Sequence, residues 1–396
     1  MDVTTRDAEE RLFGGASGRL LLVVSAGWAS VQGGRLLLSP LLPRITVDLG
    51  ITNARAGFAL TVLWGLYALL QFPSGRLSDR LSRKTLLVAG ASLVGVGFLA
   101  LAATLSYATF LLAAATVGAG AGLYPTAARA LVSDLVVERR GQAFGLHAAS
   151  GDLGGAAAAG LAVIVLAAAA WRTAFLFPVA VLAVTLMALH AWSRESIRLE
   201  RVRLDVRGTG RRLMSGRFLP FLFAYALFAF TWQSAVGFLP AYLQDKGLSA
   251  AFASGSFALL FLVGMVVKPV AGGLGDRLPR LRVAGGTLLL GAVSMGVVVH
   301  GTSGPIVAAG VALFAVGLMA YPPVMQAFLM DVFPTESMGG DLGGARTVYI
   351  GIGSLGPTYV GLVADRAGFE YAFAGLIGCL VVSGLVILAL DWTRPS

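Results

Sequence analysis

Arg35 stands in the first long apolar segment of the chain, on a face that carries other polar side chains. Ser25, Trp28, Gln32, Arg35 and Ser39 recur at spacings of three and four, which is the period of one helical face. A guanidinium offers two parallel hydrogen bonds to a carboxylate or a similar oxyanion. An apolar segment with such a polar face must turn that face to protein or to a water cavity, where Arg35 could hold a small anion. A fixed ion pair between helices, or extension of the Arg35 side chain to the surface, is the alternative.

Three further cations lie inside apolar segments, namely Arg129, Lys268 and Arg346. Arg129 shares a helical face with Gly118, Gly122 and Pro125, small residues typical of close helix packing, so we interpret it as a structural ion-pairing residue, with substrate binding as the alternative. Lys268 is a second candidate anion ligand, and Arg346 fits better with charged clusters at segment ends. Both could instead extend to the surface, Lys268 could join those clusters, and two cations flanking a cavity would suit an anion.

Asp152 and His147 are titratable groups of the fifth apolar segment. An apolar medium favours the uncharged form of a carboxyl group, so Asp152 is a candidate carrier of a coupling proton. It could equally neutralise Arg35 or Arg129. The two residues lie about 140° apart on a helix, too far to share one partner. His147 is expected to be a hydrogen-bonded packing residue, with a role as proton relay as the alternative.

These side chains belong to a chain that is too apolar for water. Of its 396 residues, 57% are hydrophobic and 13% are charged, whereas about a quarter of the residues of soluble domains are charged. A membrane helix needs roughly 20 apolar residues, and none of the segments alternates as barrel strands do. The sequence thus predicts an all-α membrane protein with twelve transmembrane helices, spans 1 to 12, at residues 20–42, 57–77, 85–105, 110–132, 143–169, 173–191, 218–243, 252–274, 283–299, 305–330, 344–363 and 371–390.

The net charge of +10 reflects topology. With an even number of spans both termini share one side of the membrane, and 21 of the 30 Lys and Arg residues lie on that side. Cytoplasmic loops carry the excess of basic residues, so we expect both termini in the cytoplasm and a location in the cytoplasmic membrane. No nucleic-acid partner is needed. Residues 193–216 form a basic linker next to lipid headgroups, between six-helix bundles at 1–192 and 217–396.

An internal repeat relates the two bundles. Residues 75–83 and 272–280 are identical at six of nine positions, at an offset of 197 residues. The same offset pairs Pro43 with Pro240, Tyr124 with Tyr321, Pro125 with Pro322 and Asp134 with Asp331. Because the offset spans six segments, the halves have the same orientation and form a parallel repeat.

The repeated loop carries a family motif, at Gly75, Leu77, Asp79, Arg80, Arg83 and Lys84, with a partial copy at Gly272, Leu274, Asp276, Arg277 and Arg280. On these residues the chain resembles the major facilitator superfamily of secondary transporters over nearly its whole length. Ser82 replaces one glycine of the motif. Ala114 and the pair Gly155-Ala156 depart from antiporter motifs, so no subfamily is assigned.

The resemblance implies roles for the loop residues in gating. Asp79 would meet the start of span 11, and Arg83 would pair with Asp134. The predicted gating set is Gly75, Asp79, Arg80, Arg83 and Asp134, with Gly272, Asp276, Arg277, Arg280, Asp331 and Arg346 in the second half. By the same resemblance, spans 1, 4, 7 and 10 line a central cavity. Candidate substrate residues are therefore Arg35, Gln32 and Trp28 on span 1 and Tyr124, Trp232, Gln233, Tyr321 and Gln326 on the other three. Packing is the alternative for the residues on spans 4, 7 and 10.

The function expected is alternating-access transport of a small solute by a monomer. The sequence shows no metal cluster, cofactor motif or catalytic constellation, so the chain is not expected to be an enzyme. It also shows no phosphate-binding loop, so we expect an ion gradient, most simply of protons, to drive transport. Proton-coupled uptake of a small organic anion is our first hypothesis, and proton-driven efflux of drugs or amphipathic metabolites is the second. The glycines of residues 351–356 are expected to serve helix packing or bending beside Pro357.

Overall fold

The computed structural model describes residues 12–80, 82–193, 218–333 and 338–392. Within these ranges the regular secondary structure is helical, and twelve spans are long and apolar enough to cross a membrane. The chain is a multi-pass membrane protein. Spans 1 to 6 are Gly15–Leu49, Asn53–Arg80, Arg83–Ala102, Tyr107–Leu135, Arg140–Ala168 and Trp171–Trp192, and spans 7 to 12 are Leu219–Asp245, Ala250–Arg277, Arg280–His300, Gly304–Val332, Asp341–Ala367 and Phe369–Trp392.

Three spans consist of two consecutive elements. Span 1 joins the helices Gly15–Leu36 and Leu38–Leu49, and span 6 opens with the short 3-10 helix Trp171–Phe175 before Leu176–Trp192. Span 11 joins Met338–Gly353 and Gly356–Ala367, the first of which starts just before the apolar window. Each predicted segment coincides with one of the observed spans.

The ends of the spans carry residues that their geometry requires. Ser106 caps span 4, because its hydroxyl accepts a hydrogen bond from the backbone N–H of Thr109 at 3.3 Å and its own N–H donates to the Thr109 hydroxyl at 3.1 Å. Gly50 closes span 1 with a φ of 59°, a left-handed conformation that favours glycine. Span 3 ends at Ala102, three residues before the predicted boundary.

The break in span 11 has a visible cause. Pro357 lies in the first turn of the second helix, where its missing N–H leaves no hydrogen bond unmade. A Cβ atom on Gly353 would overlap Ala229 of span 7, and one on Gly356 would overlap the carbonyl group of Phe230. These glycines therefore serve close packing and bending, as the sequence predicted.

Both halves repeat the same helix pairings. In the first half span 4 packs against spans 2 and 3, and span 1 packs against spans 5 and 6. In the second half span 10 packs against spans 8 and 9, and span 7 packs against spans 11 and 12. This shift of six spans is the parallel repeat that the 197-residue offset predicts. The predicted basic linker lies outside the described residues apart from Ser193.

The two halves meet along spans 2 and 11, 5 and 8, and 1 and 7. We call the membrane face at Gly15 and Trp392 the proximal face, and the face at Asn53 and Asp365 the distal face. At the distal face the Asp365 carboxylate accepts hydrogen bonds from the backbone N–H groups of Asn53 at 3.1 Å and Ala54 at 2.8 Å. The distal end is therefore closed between spans 2 and 11.

Hydrogen bonds continue this closure towards the membrane interior. The Thr61 hydroxyl lies 2.6 Å from the carbonyl oxygen of Ser354 and 2.7 Å from the hydroxyl of Thr358. Gly57 also packs so closely on the carbonyl group of Pro357 that a Cβ atom would overlap it. Spans 2 and 11 are thus in direct contact over the distal half of the membrane.

Candidate functional site

A cavity of about 210 Å³ lies between the halves on the proximal side of this closure. Its walls come from spans 2, 4, 7, 10 and 11. The lining residues are Gln71, Thr126, Arg129, Tyr225, Gln326, Leu329, Leu342, Gly343, Arg346 and Tyr349. Gln326 is exposed although it belongs to a membrane span, so the cavity communicates with solvent.

Two arginines from different halves line the cavity. Arg129 precedes the proximal end of span 4 by six residues, or about 9 Å of helix, and Arg346 follows the start of its helix by eight residues, or about 12 Å. None of the lining residues is acidic. Among the described residues, no carboxylate lies within salt-bridge distance of either arginine. The cavity is therefore cationic.

Hydrogen-bond donors in the cavity wall also lack protein partners. The Nε atom of Arg346 and the Nε2 atom of Gln71 are buried and unpaired in the described part of the chain. The Gln71 side chain is only 3% exposed. A buried donor without an acceptor costs about 1–3 kcal/mol. Both donors would gain from an acceptor oxygen held in the cavity.

Arg35 lies deeper than these arginines and does not line the cavity. Its Cζ atom is 4.2 Å from the ring centre of Trp64 and 4.3 Å from that of Tyr67, both on span 2, and it donates a hydrogen bond to Gln32. Tyr67 precedes Gln71 by one helical turn, so Arg35 lies about one turn beyond the cavity. The side chain is 4% exposed. It therefore neither reaches the surface nor, among the described residues, pairs with a carboxylate.

Asp152 and Lys268 form an ion pair between the halves. The Lys268 Nζ atom lies 2.6 Å from both carboxylate oxygens of Asp152. Spans 5 and 8 pack against each other, which brings the two residues together. Asp152 consequently neutralises neither Arg35 nor Arg129, contrary to one of our interpretations, and Lys268 does not extend to the surface.

His147 is packed as the sequence predicted. Its ring stacks on Trp28 with centroids 6.1 Å apart, and its Nδ1 atom lies 3.4 Å from the hydroxyl of Ser25. The polar stripe of span 1 thus divides into two groups. Trp28 and Ser25 contact span 5, whereas Gln32 and Arg35 face span 2.

The other predicted substrate residues are mostly engaged in packing. The Tyr124 hydroxyl donates to the carbonyl oxygen of Val24 at 3.0 Å, and Gln233 donates to that of Ile350 at 3.1 Å. Tyr321 is buried against Tyr225 and Phe228, and Trp232 meets Phe261 edge-on. Of the nine residues predicted to bind substrate, Gln326 lines this cavity.

The predicted gating pairs occur in both halves. Arg83 lies 3.2 Å from Asp134, and Arg280 pairs with Asp331 and, at 3.3 Å, with Asp276. Arg277 is exposed, and a Cβ atom on Gly272 would meet open space. At Gly75, Asp79 and Arg80 the structure describes the helical backbone alone. Arg346 differs from the expectation, because it faces the cavity instead of these pairs.

Arg129 is the cavity residue that sequence reasoning missed. The expected close contact is present, since a Cβ atom on Gly118 would overlap the carbonyl group of Leu63 in span 2. No carboxylate among the described residues pairs with the arginine, so the expected ion pair is not seen in the described part of the chain. The internal repeat could have indicated this position of Arg129. The 197-residue offset that aligns the halves pairs Arg129 with Gln326, a predicted cavity residue, and both residues line the cavity.

Two like halves around a central cavity, with one end closed, are the architecture typical of secondary transporters. The Major Facilitator Superfamily profile matches residues 24–357, and the chain belongs to this family.

Comparisons with individual proteins agree with this placement. The probable sulfoacetate transporter SauU of Cupriavidus necator is 27% identical over 64% of this chain and 65% of its own length, so the match spans slightly less than two thirds of that relative. The probable 4-methylmuconolactone transporter of Cupriavidus pinatubonensis is 25% identical over 92% of this chain and 87% of its own. A crystal structure of a POT family transporter in complex with 5-aminolevulinic acid has a TM-score of 0.80 at 16% identity, covering 98% of this chain and 99% of that one.

Proposed function

We propose that this transporter carries a small organic anion into the cell and that protons drive the uptake. The observation that carries the proposal is the pair Arg129 and Arg346 in a cavity whose described lining contains no acid. A permanent charge inside a membrane protein is costly and marks a substrate pathway by default. Two guanidinium groups facing a cavity that communicates with solvent favour an anion over a cation or a neutral solute.

The size of the cavity supports the same choice. Pockets for drug-sized ligands measure roughly 300–1,000 Å³, whereas this cavity measures about 210 Å³. A small carboxylate or sulfonate fits such a volume better than an amphipathic drug does. Efflux of drugs is therefore the less favoured function.

The relatives support an anionic substrate by their names. SauU is named for sulfoacetate, which carries a sulfonate and a carboxylate group. The second relative is named for 4-methylmuconolactone, which carries a carboxyl group. We extend to this chain the chemical class that these names share, a small organic anion, and no particular compound.

Charges outside the cavity indicate which face is cytoplasmic and which residue carries the proton. The excess of Lys and Arg on the proximal side favours the cytoplasm there, so the conformation described would be the one open to the cytoplasm. Asp152 is the proposed proton carrier. Its protonation would remove the negative partner of Lys268 and loosen the contact between spans 5 and 8, and its deprotonation would restore that contact.

Counterflow in proteoliposomes tests the substrate class. Purified protein is reconstituted, loaded with one solute of a panel and exposed to the same solute in labelled form, the panel comprising sulfoacetate, malonate, acetate and cationic dyes. We expect saturable counterflow of at least one anion and none of the dyes. Saturable counterflow of dyes alone would contradict the proposal and favour efflux of amphipathic compounds.

An imposed pH gradient tests the coupling. Wild-type protein should accumulate the transported anion when the outside is acidic, and Asp152→Asn should retain counterflow but lose this accumulation, because it carries no titratable group at that position. Glu370→Gln, which removes an exposed acid at the distal face, is the matched control. Accumulation by Asp152→Asn equal to that of the control would exclude Asp152 as the proton carrier.

A further inference from the structure

We infer that the substrate is a two-headed anion, with two negatively charged groups, that bridges Arg129 and Arg346. The inference rests on the proposed function and adds the number and placement of the charged groups. The two arginines belong to different halves, Arg129 to span 4 of the first and Arg346 to span 11 of the second. They stand in separate walls of one cavity.

The two arginines that line the cavity present two positive charges to a bound ligand. The ion pair of Asp152 and Lys268 is neutral in itself. Arg129 and Arg346 have no carboxylate partner among the described residues. A monoanion would leave one guanidinium charge uncompensated in a membrane interior, where such a charge is costly. A dianion compensates both.

The polar groups of the lining fall into two sets that suit two heads. Arg346 on span 11 presents an unpaired Nε atom, and the buried amide of Gln71 on span 2 presents an unpaired Nε2 atom. Together they offer hydrogen-bond donors to one charged group of the substrate. Thr126 precedes Arg129 by three residues on the same face of span 4 and also lines the cavity, and together they offer donors to the other head. Charge-assisted hydrogen bonds to both arginines would tie the halves together through the substrate.

The spacer between the heads must be short. The cavity measures about 210 Å³, and the Tyr225 ring stacks flat on Tyr349 with centroids 3.8 Å apart, forming an aromatic wall. A chain of one or two carbon atoms between two charged groups suits this volume. Malonate and sulfoacetate are compounds of this kind, and acetate and methanesulfonate are the matched compounds with one head.

Equilibrium binding to the purified full-length transporter at pH 7.5 and constant ionic strength tests the inference. We expect malonate or sulfoacetate to bind at least tenfold more tightly than acetate and methanesulfonate. Arg129→Gln and Arg346→Gln should each reduce that preference to within about threefold, while Arg44→Gln, which removes an exposed arginine, should leave it unchanged.

Two outcomes would overturn the inference and separate it from the proposed function. Monoanions that bind as tightly as dianions, with counterflow of those monoanions, would refute the two-headed substrate and leave anion transport standing. Binding of cationic dyes with no binding of any anion would refute both the two-headed substrate and anion transport.

If a glutamine variant is not monodisperse, the corresponding lysine variant, Arg129→Lys or Arg346→Lys, replaces it. Each keeps the charge but loses the bidentate geometry, and the preference should then fall at least threefold.

Discussion

The ammonium group of Lys268 lies 2.6 Å from both carboxylate oxygens of Asp152, and the two residues belong to different halves of the transporter. Their side chains are largely shielded, at 31% and 10% exposure. Any movement that separates span 5 from span 8 must break this pair. It is therefore placed to couple a local charge change to the relative position of the halves.

Removing both partners of this pair should cost less than the sum of the two single removals. Asp152→Asn and Lys268→Gln each leave a shielded charge unpaired, and we expect each to lower the free energy of unfolding by about 1–3 kcal/mol. The double variant should lose less than the sum of the two. Thermal unfolding in detergent measures this, and additive losses would show that the residues do not interact energetically.

Asp365 should hold the distal face closed. It accepts three hydrogen bonds from the start of span 2, counting the one from Asn53 Nδ2 at 3.0 Å. Capping interactions of this kind contribute about 0.5–2 kcal/mol, so Asp365→Ala should favour opening of the distal face.

Labelling of an introduced cysteine can measure this opening. The chain has one cysteine, Cys379, so a Cys379→Ser background with Thr358→Cys gives a single target between spans 2 and 11. A membrane-impermeant maleimide should label it several-fold faster in the Asp365→Ala variant. Glu370→Gln serves as the control at the same face, and equal rates in both variants would refute the role of Asp365.

Arg35 should depend on its planar shape as well as its charge. Its guanidinium lies between Trp64 and Tyr67, and cation–π contacts of shielded groups contribute about 2 kcal/mol. Arg35→Lys keeps the charge but loses the stacking, so we expect a clear fall in the unfolding temperature. Arg44→Lys, at an exposed position, should have no effect. A variant Arg35→Lys as stable as wild type would contradict the stacking interpretation.

Gly118 should be intolerant of any side chain. A Cβ atom there would overlap the carbonyl group of Leu63, whereas one on Gly95 would meet open space. We expect Gly118→Ala to lower the yield of monodisperse protein severely, because spans 2 and 4 can no longer approach. Gly95→Ala should be neutral or slightly stabilising, since alanine favours helix. Equal yields would show that the helices adjust freely.

The number of spans and the repeat were predictable because each follows from a pattern in the sequence itself. Apolar runs of spanning length and a constant offset need no knowledge of which helices touch. The ion pair of Arg83 and Asp134 was also predictable, through the family motif. Span boundaries were less predictable, because they depend on local caps, such as Ser106 at the start of span 4, rather than on hydrophobicity.

The cavity was predicted less well, and the reason is geometric. Periodicity shows that Arg35 belongs to a polar face, but only the folded structure shows that its side chain reaches across to Trp64 and Tyr67 of span 2. Arg129 shares its helix with glycines that do pack closely, yet it lies about two turns beyond Gly122 and faces the cavity. Contacts between different helices decide both cases, and a single sequence does not contain them.

Counterflow through Arg129→Gln and Arg346→Gln, measured with an anion of the panel that wild-type protein transports, tests most directly whether these two arginines bind the substrate. Each arginine would supply charge-assisted hydrogen bonds of about 1.5–3 kcal/mol. With equal amounts of monodisperse protein in the vesicles, the ratio of kcat to KM should fall at least tenfold in either variant and stay within twofold of wild type in Arg44→Gln. Wild-type counterflow in both Arg129→Gln and Arg346→Gln would contradict anion binding at this cavity.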